Sequence, residues 1–196
     1  MPHTRQWARL QWLRIAVYAF VVLALLCGGP WRGLLTLHGA AWAGSVPATW
    51  ILLTLGAGPN TADAHGDTAL DAAAQRGHAQ VVALLLSHGG DAARRGDLRV
   101  TALHLAAIRG SAEVARLLIA HGADVHALDS ANQTPLHWAA GCGATAVAQV
   151  LLQNGARVTA WDVHGRTPAQ EALRKGHADL AALLSGAEHD QAARKR

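Results

Sequence analysis

A threonine recurs every 33 residues through the last two thirds of the chain, at Thr68, Thr101, Thr134 and Thr167. Each threonine opens a similar segment, and each is followed first by a glycine and then by paired aliphatic residues. Self-similarity at a fixed period of about 20 to 50 residues is typical of solenoids. One unit of this length cannot bury its apolar face alone, so neighbouring units must stack. The chain is therefore predicted to form a stack of short repeated units.

Within each unit the residues predict a pair of helices. Threonine is a favourable helix N-cap, because its hydroxyl accepts a hydrogen bond from an orphan backbone N–H. Pro135 and Pro168 follow at the first helical position, where no N–H is needed. His104 and His137 stand three residues after the threonine, where a side chain can bond back to the cap. Glycines such as Gly110 are expected to end the first helix in a left-handed conformation.

The segment Thr134-Pro135-Leu136-His137, followed by Ala139-Ala140 and Gly143, resembles the ankyrin repeat, whose pattern is Thr-Pro-Leu-His-x-Ala-Ala-x-x-Gly. The resemblance covers about residues 30–188. It implies an all-α ankyrin-repeat solenoid of about five 33-residue repeats, each a helix–turn–helix with a β-hairpin loop, after an N-terminal transmembrane or signal helix. The implied units are a degenerate first repeat, three further repeats, a C-terminal capping repeat and a polar tail, at 30–62, 63–95, 96–128, 129–161, 162–188 and 189–196.

One repeat departs from this pattern at its hairpin. The position two residues before the threonine is a glycine in most units, as at Gly66, but it is Arg99 in one and Asn132 in another. Asparagine tolerates a positive φ angle, whereas arginine tolerates it poorly. We therefore expect a distorted hairpin at Arg99.

A basic segment followed by an apolar run opens the chain. Arg5, Arg9 and Arg14 precede residues 15–26, which carry no charge. This order is typical of a signal peptide or signal anchor. We predict a signal anchor or transmembrane segment over residues 1–29, with the repeats on the outer (periplasmic) side, because the arginine excess favours the inside. Cleavage at Ala41-Trp42-Ala43, which has the small-x-small form of a signal peptidase site, is the alternative and would give a secreted protein.

The segment that precedes Asp63 allows two interpretations. It matches the repeat from Leu35-Thr36-Leu37-His38 onward, yet residues 33–57 carry no charge. A capping repeat normally has a polar outer face. A second membrane helix is therefore an alternative, and it would place the later repeats on the cytoplasmic side. Gly39 and Gly44 lower the hydropathy that a span needs and favour the repeat.

No pattern in the sequence indicates catalysis or metal binding. The chain has 12 histidines and two cysteines, and nearly all the histidines fall at repeat positions without a Cys/His ligand spacing. Equivalent residues of successive repeats are stacked one unit apart, so they do not converge on one point. The glycines are spaced as turns and caps, not as a phosphate-binding loop. We therefore predict a non-enzymatic protein with no catalytic residue, no cofactor and no metal; only His65 and His164 invite a check as a pair.

In ankyrin-like stacks the first helices and the hairpin tips line a concave face, so the resemblance implies that a partner binds there. The residues carried over to this face are His65, Arg76, Arg95, Leu98, Ile108, Arg109, Trp161, His164, Arg166, Arg174 and Lys175. The six cations among them outnumber the carboxylates Asp67 and Asp97 of the same turns, which favours a partner protein with an acidic surface. Tryptophan and arginine also dominate the energetics of protein interfaces.

These features together predict a function. We expect a monomeric scaffold or adaptor, tethered to or exported across a membrane, that binds another protein and no nucleic acid. A cell-envelope accessory protein that protects or assists a partner enzyme is one alternative. A host-directed effector is another.

Overall fold

The computed structural model describes residues 36–193, apart from the side chains of Asp190 and Ala192. The anchor predicted over residues 1–29 lies outside the described residues. In the described range the chain forms α-helices and one short 3-10 turn, Asp97–Arg99. The helices are α1 (Leu37–Trp42), α2 (Val46–Thr54), α3 (Ala69–Arg76), α4 (Ala79–Ser87), α5 (Ala102–Arg109), α6 (Ala112–Ala120), α7 (Pro135–Gly141), α8 (Thr145–Gln153), α9 (Pro168–Arg174) and α10 (Ala178–Ala193).

The helices form five antiparallel pairs, stacked side by side as the period predicts. The first helices of the pairs pack in the order α1, α3, α5, α7 and α9, and the second helices form a parallel row. Contacts along the first row are more extensive than along the second. Fully buried alanines such as Ala73, Ala106 and Ala139 allow this close approach. The first helices therefore lie on the inner, concave side of the stack.

The predicted caps are present in the structure. Thr68, Thr134 and Thr167 each accept a hydrogen bond from the backbone N–H three residues later. The side chain at that third position bonds back to the cap, which completes a capping box. Gly77 and Gly110 end α3 and α5 with φ angles of 77° and 76°, in the left-handed region that a residue with a Cβ avoids.

The loops between pairs are turns rather than the β-hairpins implied by the resemblance. Along residues 36–193 the backbone makes a single isolated antiparallel bridge, between Ala62 and Thr68, and no named strand. The turns are held instead by an aspartate. Asp129 Oδ1 accepts from the N–H groups of Ala131 and Gln133, both at 2.8 Å. This side chain acts together with one backbone bond across the turn, from the Asp129 N–H to the Gln133 carbonyl oxygen at 3.0 Å.

The turn at residues 96–100 is the exception that the sequence predicts. Gly96 stands where the other turns have an aspartate, so no carboxylate holds this turn. Arg99 has a φ angle of 59°, and its neighbour Leu98 has one of 54°. The predicted distortion is therefore confirmed, and it includes Leu98, which the sequence did not single out as strained. Asn132 adopts a φ angle of 55°, as expected.

The uncharged first unit takes the same form as the later ones. Thr36 and Ser45 cap α1 and α2 through their side chains, and the two helices have 6 and 9 residues. Helix α1 packs on α3 as each later first helix packs on the next, and it buries Leu37 and Ala41. None of the helices between residues 36 and 193 has both the length and the apolar character that crossing a membrane requires.

The C-terminal unit ends in a longer helix than its predecessors. Helix α10 has 16 residues and continues through the segment from residue 189 that was predicted to be a polar tail. Gln191 Nε2 donates to the carbonyl oxygen of Ala156 at 2.9 Å, which fastens the helix end to the preceding unit. The tail is therefore helical as far as residue 193.

Candidate partner-binding face

The concave face is formed by the first helices α1, α3, α5, α7 and α9 together with the turns at 63–67, 96–100, 129–133 and 162–166. Because the repeat has 33 residues, positions that far apart lie side by side across this face. One such row at the ends of the first helices contains Gln75, Ile108, Gly141 and Arg174, and the next row contains Arg76, Arg109, Cys142 and Lys175. All of these are exposed except Gly141, which is half-buried.

Several large apolar side chains on this side of the molecule are open to solvent, among them Trp42 at the end of α1 and Val163 in the last turn, which are 43% and 54% exposed. Leu98 at the strained turn is 71% exposed, Trp161 beside the last turn is 70% exposed, and Ile108 at the end of α5 is 49% exposed. Trp161 also borders an open hollow of about 760 Å³ next to Arg157 and Gln191. Exposed apolar residues that recur on one side of a protein indicate an interaction surface.

Four of the predicted cations lie near these apolar residues without a described salt bridge. No carboxylate among residues 36–193 lies within ion-pair distance of Arg76, Arg95, Arg109 or Lys175. The Arg76 guanidinium lies 4.8 Å from the centroid of the Trp42 ring, a cation–π contact. Arg109 lies along Gly77, since a Cβ there would stand 3.3 Å from the arginine Cγ. These cations give the face its positive charge.

Two other predicted cations are neutralised by carboxylates that the sequence reading did not include. Arg166 binds Asp162 at 2.8 Å and Glu171 at 3.4 Å. Arg174 binds Glu171 at 2.6 Å. Asp162 and Glu171 therefore already neutralise Arg166 and Arg174 within the fold. The spacing of three residues between Glu171 and Arg174 on one helix is the signal that was missed.

The ion pairs set the charge state of both acids. The hydrogen bonds from Arg174 hold the pKa of Glu171 below its usual range, although partial burial opposes them. Burial acts to raise the pKa of Asp162, but hydrogen bonds from the Arg166 side chain and backbone and from His164 hold that pKa well below its usual range. Both carboxylates are therefore ionised at neutral pH, and the cluster carries no net positive charge to offer a partner.

The two capping histidines are buried and join neighbouring units. His104 Nδ1 accepts from the Thr101 N–H at 3.3 Å, so Nε2 carries the proton and donates to the Gln133 carbonyl oxygen of the next unit at 3.1 Å. His137 makes the equivalent bonds to Thr134 and to the Arg166 carbonyl oxygen, the latter at 3.0 Å. Burial lowers the pKa of both imidazoles. The cap was predicted, whereas the bond to the next unit was not.

His65 and His164 do not meet. Both are exposed, and they lie in turns three units apart. The backbone N–H of each donates to the aspartate of its own turn, to Asp63 at 2.8 Å and to Asp162 at 2.9 Å. Among the side chains that the structure describes, no three His, Cys, Asp or Glu residues are grouped as metal ligands would be.

A hollow of about 240 Å³ lies between the ends of α5, α7 and α9 on the concave face. Its lining combines apolar walls with the Cys142 thiol, the Lys175 ammonium group and the paired Glu171 carboxylate. The lining residues are Ile108, Gln133, His137, Trp138, Gly141, Cys142, Glu171 and Lys175. The hollow exists because the row Ile108, Gly141, Arg174 lacks a side chain at its centre. Burial raises the pKa of the Cys142 thiol, which is therefore neutral at pH 7. This hollow was not predicted from the sequence.

The helix pairs, the capping boxes and the 33-residue period agree with one known family. A family model described as ankyrin repeats, in three copies, matches residues 37–129 and 124–194. The chain belongs to the ankyrin repeat family. The match includes the uncharged first unit from Leu37 onward. Ankyrin repeats are in general modules for protein–protein interaction. A comparison with curated proteins found no match for this chain.

Proposed function

We propose that this ankyrin repeat protein is a non-enzymatic scaffold that binds an acidic partner protein on its concave face. The observation that carries the proposal is Leu98, which is 71% exposed and has a φ angle of 54°. A left-handed conformation costs an ordinary L-residue about 1–2 kcal/mol. Burial within the fold offsets little of this conformational cost, because the Leu98 side chain is exposed. Backbone strain of this kind is concentrated at functional sites, so a contact with another molecule best explains why Leu98 is both strained and exposed.

The charges around Leu98 support an acidic partner. Arg95 and Arg99 are exposed on either side of Leu98, and Arg109 is exposed at the end of α5. Asp97 is the one carboxylate in the same turn, so cations outnumber it. The chain carries a formal net charge of +4. A positive face with an apolar centre attracts an acidic surface over distance and then buries it on contact.

The proposal is tested by site-specific photo-crosslinking in cells. The photoreactive residue p-benzoylphenylalanine replaces Leu98 or Trp161 on the concave face. As matched controls it replaces Arg116 or Gln149, which are exposed on α6 and α8. We expect the same discrete crosslinked species from Leu98 and Trp161 and none from the two controls. Equal crosslinking from both faces, or none from either concave position, contradicts the proposal.

A second variant separates binding from stability. Leu98→Asn places a residue that tolerates positive φ at the strained turn, so the free energy of unfolding is expected to rise by about 0.5–1 kcal/mol. The same change removes the apolar contact, so capture of the species crosslinked at Trp161 is expected to fall. A variant that is both more stable and fully able to bind would show that Leu98 is not part of the interface.

We also propose that residues 1–29 anchor the protein and that the repeats lie on the outer side of the membrane. The order of basic and apolar residues supports this, and Trp12 and Trp31 lie at the two ends of the apolar run. Alkaline phosphatase, which is active only outside, is fused after residue 60 and after residue 190 in a bacterial host. Activity of both fusions is expected. Inactive fusions at both sites would place the repeats inside, and loss of an N-terminal tag would indicate cleavage.

A further inference from the structure

The hollow on the concave face is left open by a glycine that the backbone does not require. Gly141 ends α7 without the positive φ angle seen at Gly77, Gly110 and Gly143. A Cβ at Gly141 would stand 3.6 Å from Glu171 Oε1, which is an ordinary van der Waals distance. Alanine would therefore fit, and it would favour the helix more than glycine does. The glycine therefore weakens the helix, although neither its φ angle nor a close contact requires a residue without a side chain.

The walls of the hollow are fixed before any partner arrives. Trp138 forms one wall, and its indole Nε1 donates to Asp129 Oδ2 at 2.9 Å, which fixes the ring. The ring also meets the buried His104 edge-on, with centroids 5.3 Å apart. Ile108 forms the opposite wall on α5. A site whose walls are already ordered loses little conformational freedom on binding.

The charge at the hollow comes from its rim. Glu171 lines the hollow, but Arg174 and Arg166 already pair with its two oxygens. Lys175 also lines the hollow, is exposed, and makes no salt bridge within residues 36–193. An entering group therefore meets apolar walls first and one uncompensated ammonium group at the edge.

We propose that this hollow receives one apolar side chain of the partner protein, and that an Asp or Glu next to that side chain pairs with Lys175. A cavity of about 150 Å³ holds a benzene molecule, so the 240 Å³ here accommodates a side chain of the size of leucine or phenylalanine. The inference rests on the proposed binding function of the concave face and assigns the position and chemistry of its anchor.

The probe is a phage-displayed library of random 12-residue peptides, selected on the full chain and followed by binding of a synthetic selected peptide. We expect the selected peptides to carry an apolar residue next to Asp or Glu. Filling the hollow with Gly141→Leu and reversing the rim charge with Lys175→Glu should each weaken the peptide at least tenfold. Gly141→Ala should weaken it less and leave the urea midpoint equal or higher. Arg116→Glu, on the opposite face, is the matched control and should leave affinity unchanged.

A second readout locates the peptide without any variant in the hollow. Cys142 lines the hollow and is exposed, so iodoacetamide can alkylate its thiol. Saturating peptide is expected to slow alkylation of Cys142 at least tenfold, measured by mass spectrometry on the fragment that contains it. This measurement holds even if Gly141→Leu does not fold.

The outcomes separate this inference from the function on which it rests. Selected peptides without an acidic neighbour overturn the anchor. Peptides that lose less than threefold in affinity with Lys175→Glu and leave Cys142 reactive also overturn it. If such peptides are instead weakened by Leu98→Asn or Trp161→Ala, the concave face still binds and only the hollow is excluded. If only Arg116→Glu weakens them, or if no peptide is selected, both the anchor and the concave-face function fail.

Discussion

Replacing His104 with alanine is expected to destabilise the protein more than any change on the concave surface. The His104 side chain is fully buried, although imidazole is polar. One nitrogen accepts from the Thr101 N–H, the other donates to the Gln133 carbonyl oxygen of the next unit, and the ring meets Trp138. His104→Ala removes all three contacts together, leaves the buried Thr101 N–H without this acceptor, and leaves the Gln133 carbonyl oxygen with one donor, the Asp129 N–H at 3.0 Å.

The magnitude follows from the three contacts. A helix cap contributes about 1 kcal/mol. The hydrogen bond between units, lost from a carbonyl that keeps another donor, contributes about 0.5–1.5 kcal/mol. An aromatic edge contact contributes about 0.5–1.5 kcal/mol. Allowing for partial relaxation around the site, the free energy of unfolding is expected to fall by about 3 kcal/mol.

The assay is urea unfolding of the full chain at pH 7.5, followed by far-UV circular dichroism. With a slope of about 2 kcal/mol per M of urea, the midpoint should fall by about 1.5 M. His126→Ala is the matched control, because His126 is an exposed histidine in a loop, and its midpoint should move by less than about 0.25 M. A loss below about 1 kcal/mol for His104→Ala would refute the reasoning, since the bond between units would then contribute nothing.

Two further predictions concern charge. Burial lowers the pKa of His104 and His137 in the folded state, so the unfolded chain binds more protons at pH values just below the usual histidine pKa of about 6.5. The free energy of unfolding should therefore fall from pH 6.5 to pH 5 by at most about 1.4 kcal/mol per pH unit for each histidine. The urea midpoint of His104→Ala should depend less steeply on pH. Arg174→Glu should lower the urea midpoint, because it sets a carboxylate against Glu171, whereas Lys175→Glu should leave it unchanged; equal midpoints for both variants would contradict the ion-pair assignment.

Much of the fold could be predicted because its determinants are local. The threonine cap, the residue three positions later and the left-handed glycine act within four or five residues of one another. The same holds for the turn at Arg99, where the sequence places a residue that disfavours the conformation the repeat imposes. The β-hairpin implied by the resemblance is reduced to a turn, which is closed by the backbone bond from the Asp129 N–H to the Gln133 carbonyl oxygen and reinforced by Asp129 Oδ1.

The candidate face remains a prediction, and the structure adds which of its charges are paired. The resemblance placed Leu98, Ile108 and Trp161 on one side of the stack, and all three side chains are exposed. Counting arginines was not enough, because Glu171 is buried between Arg166 and Arg174 and cancels part of their charge. Charge on a surface depends on which acids pack beneath it, and burial is a property of the packed structure.

The sequence alone determined the period, the helix pairs, the caps and the strained turn, since each depends on neighbours along the chain. Only the tertiary structure decided how the units join and where the face is open. His104 reaches a carbonyl in the next unit, 29 residues further on. The hollow at Gly141 has walls because Asp129 fixes Trp138 and because Ile108 stands one unit away. These features depend on the distance and rotation between stacked units, which packing sets and no local pattern encodes.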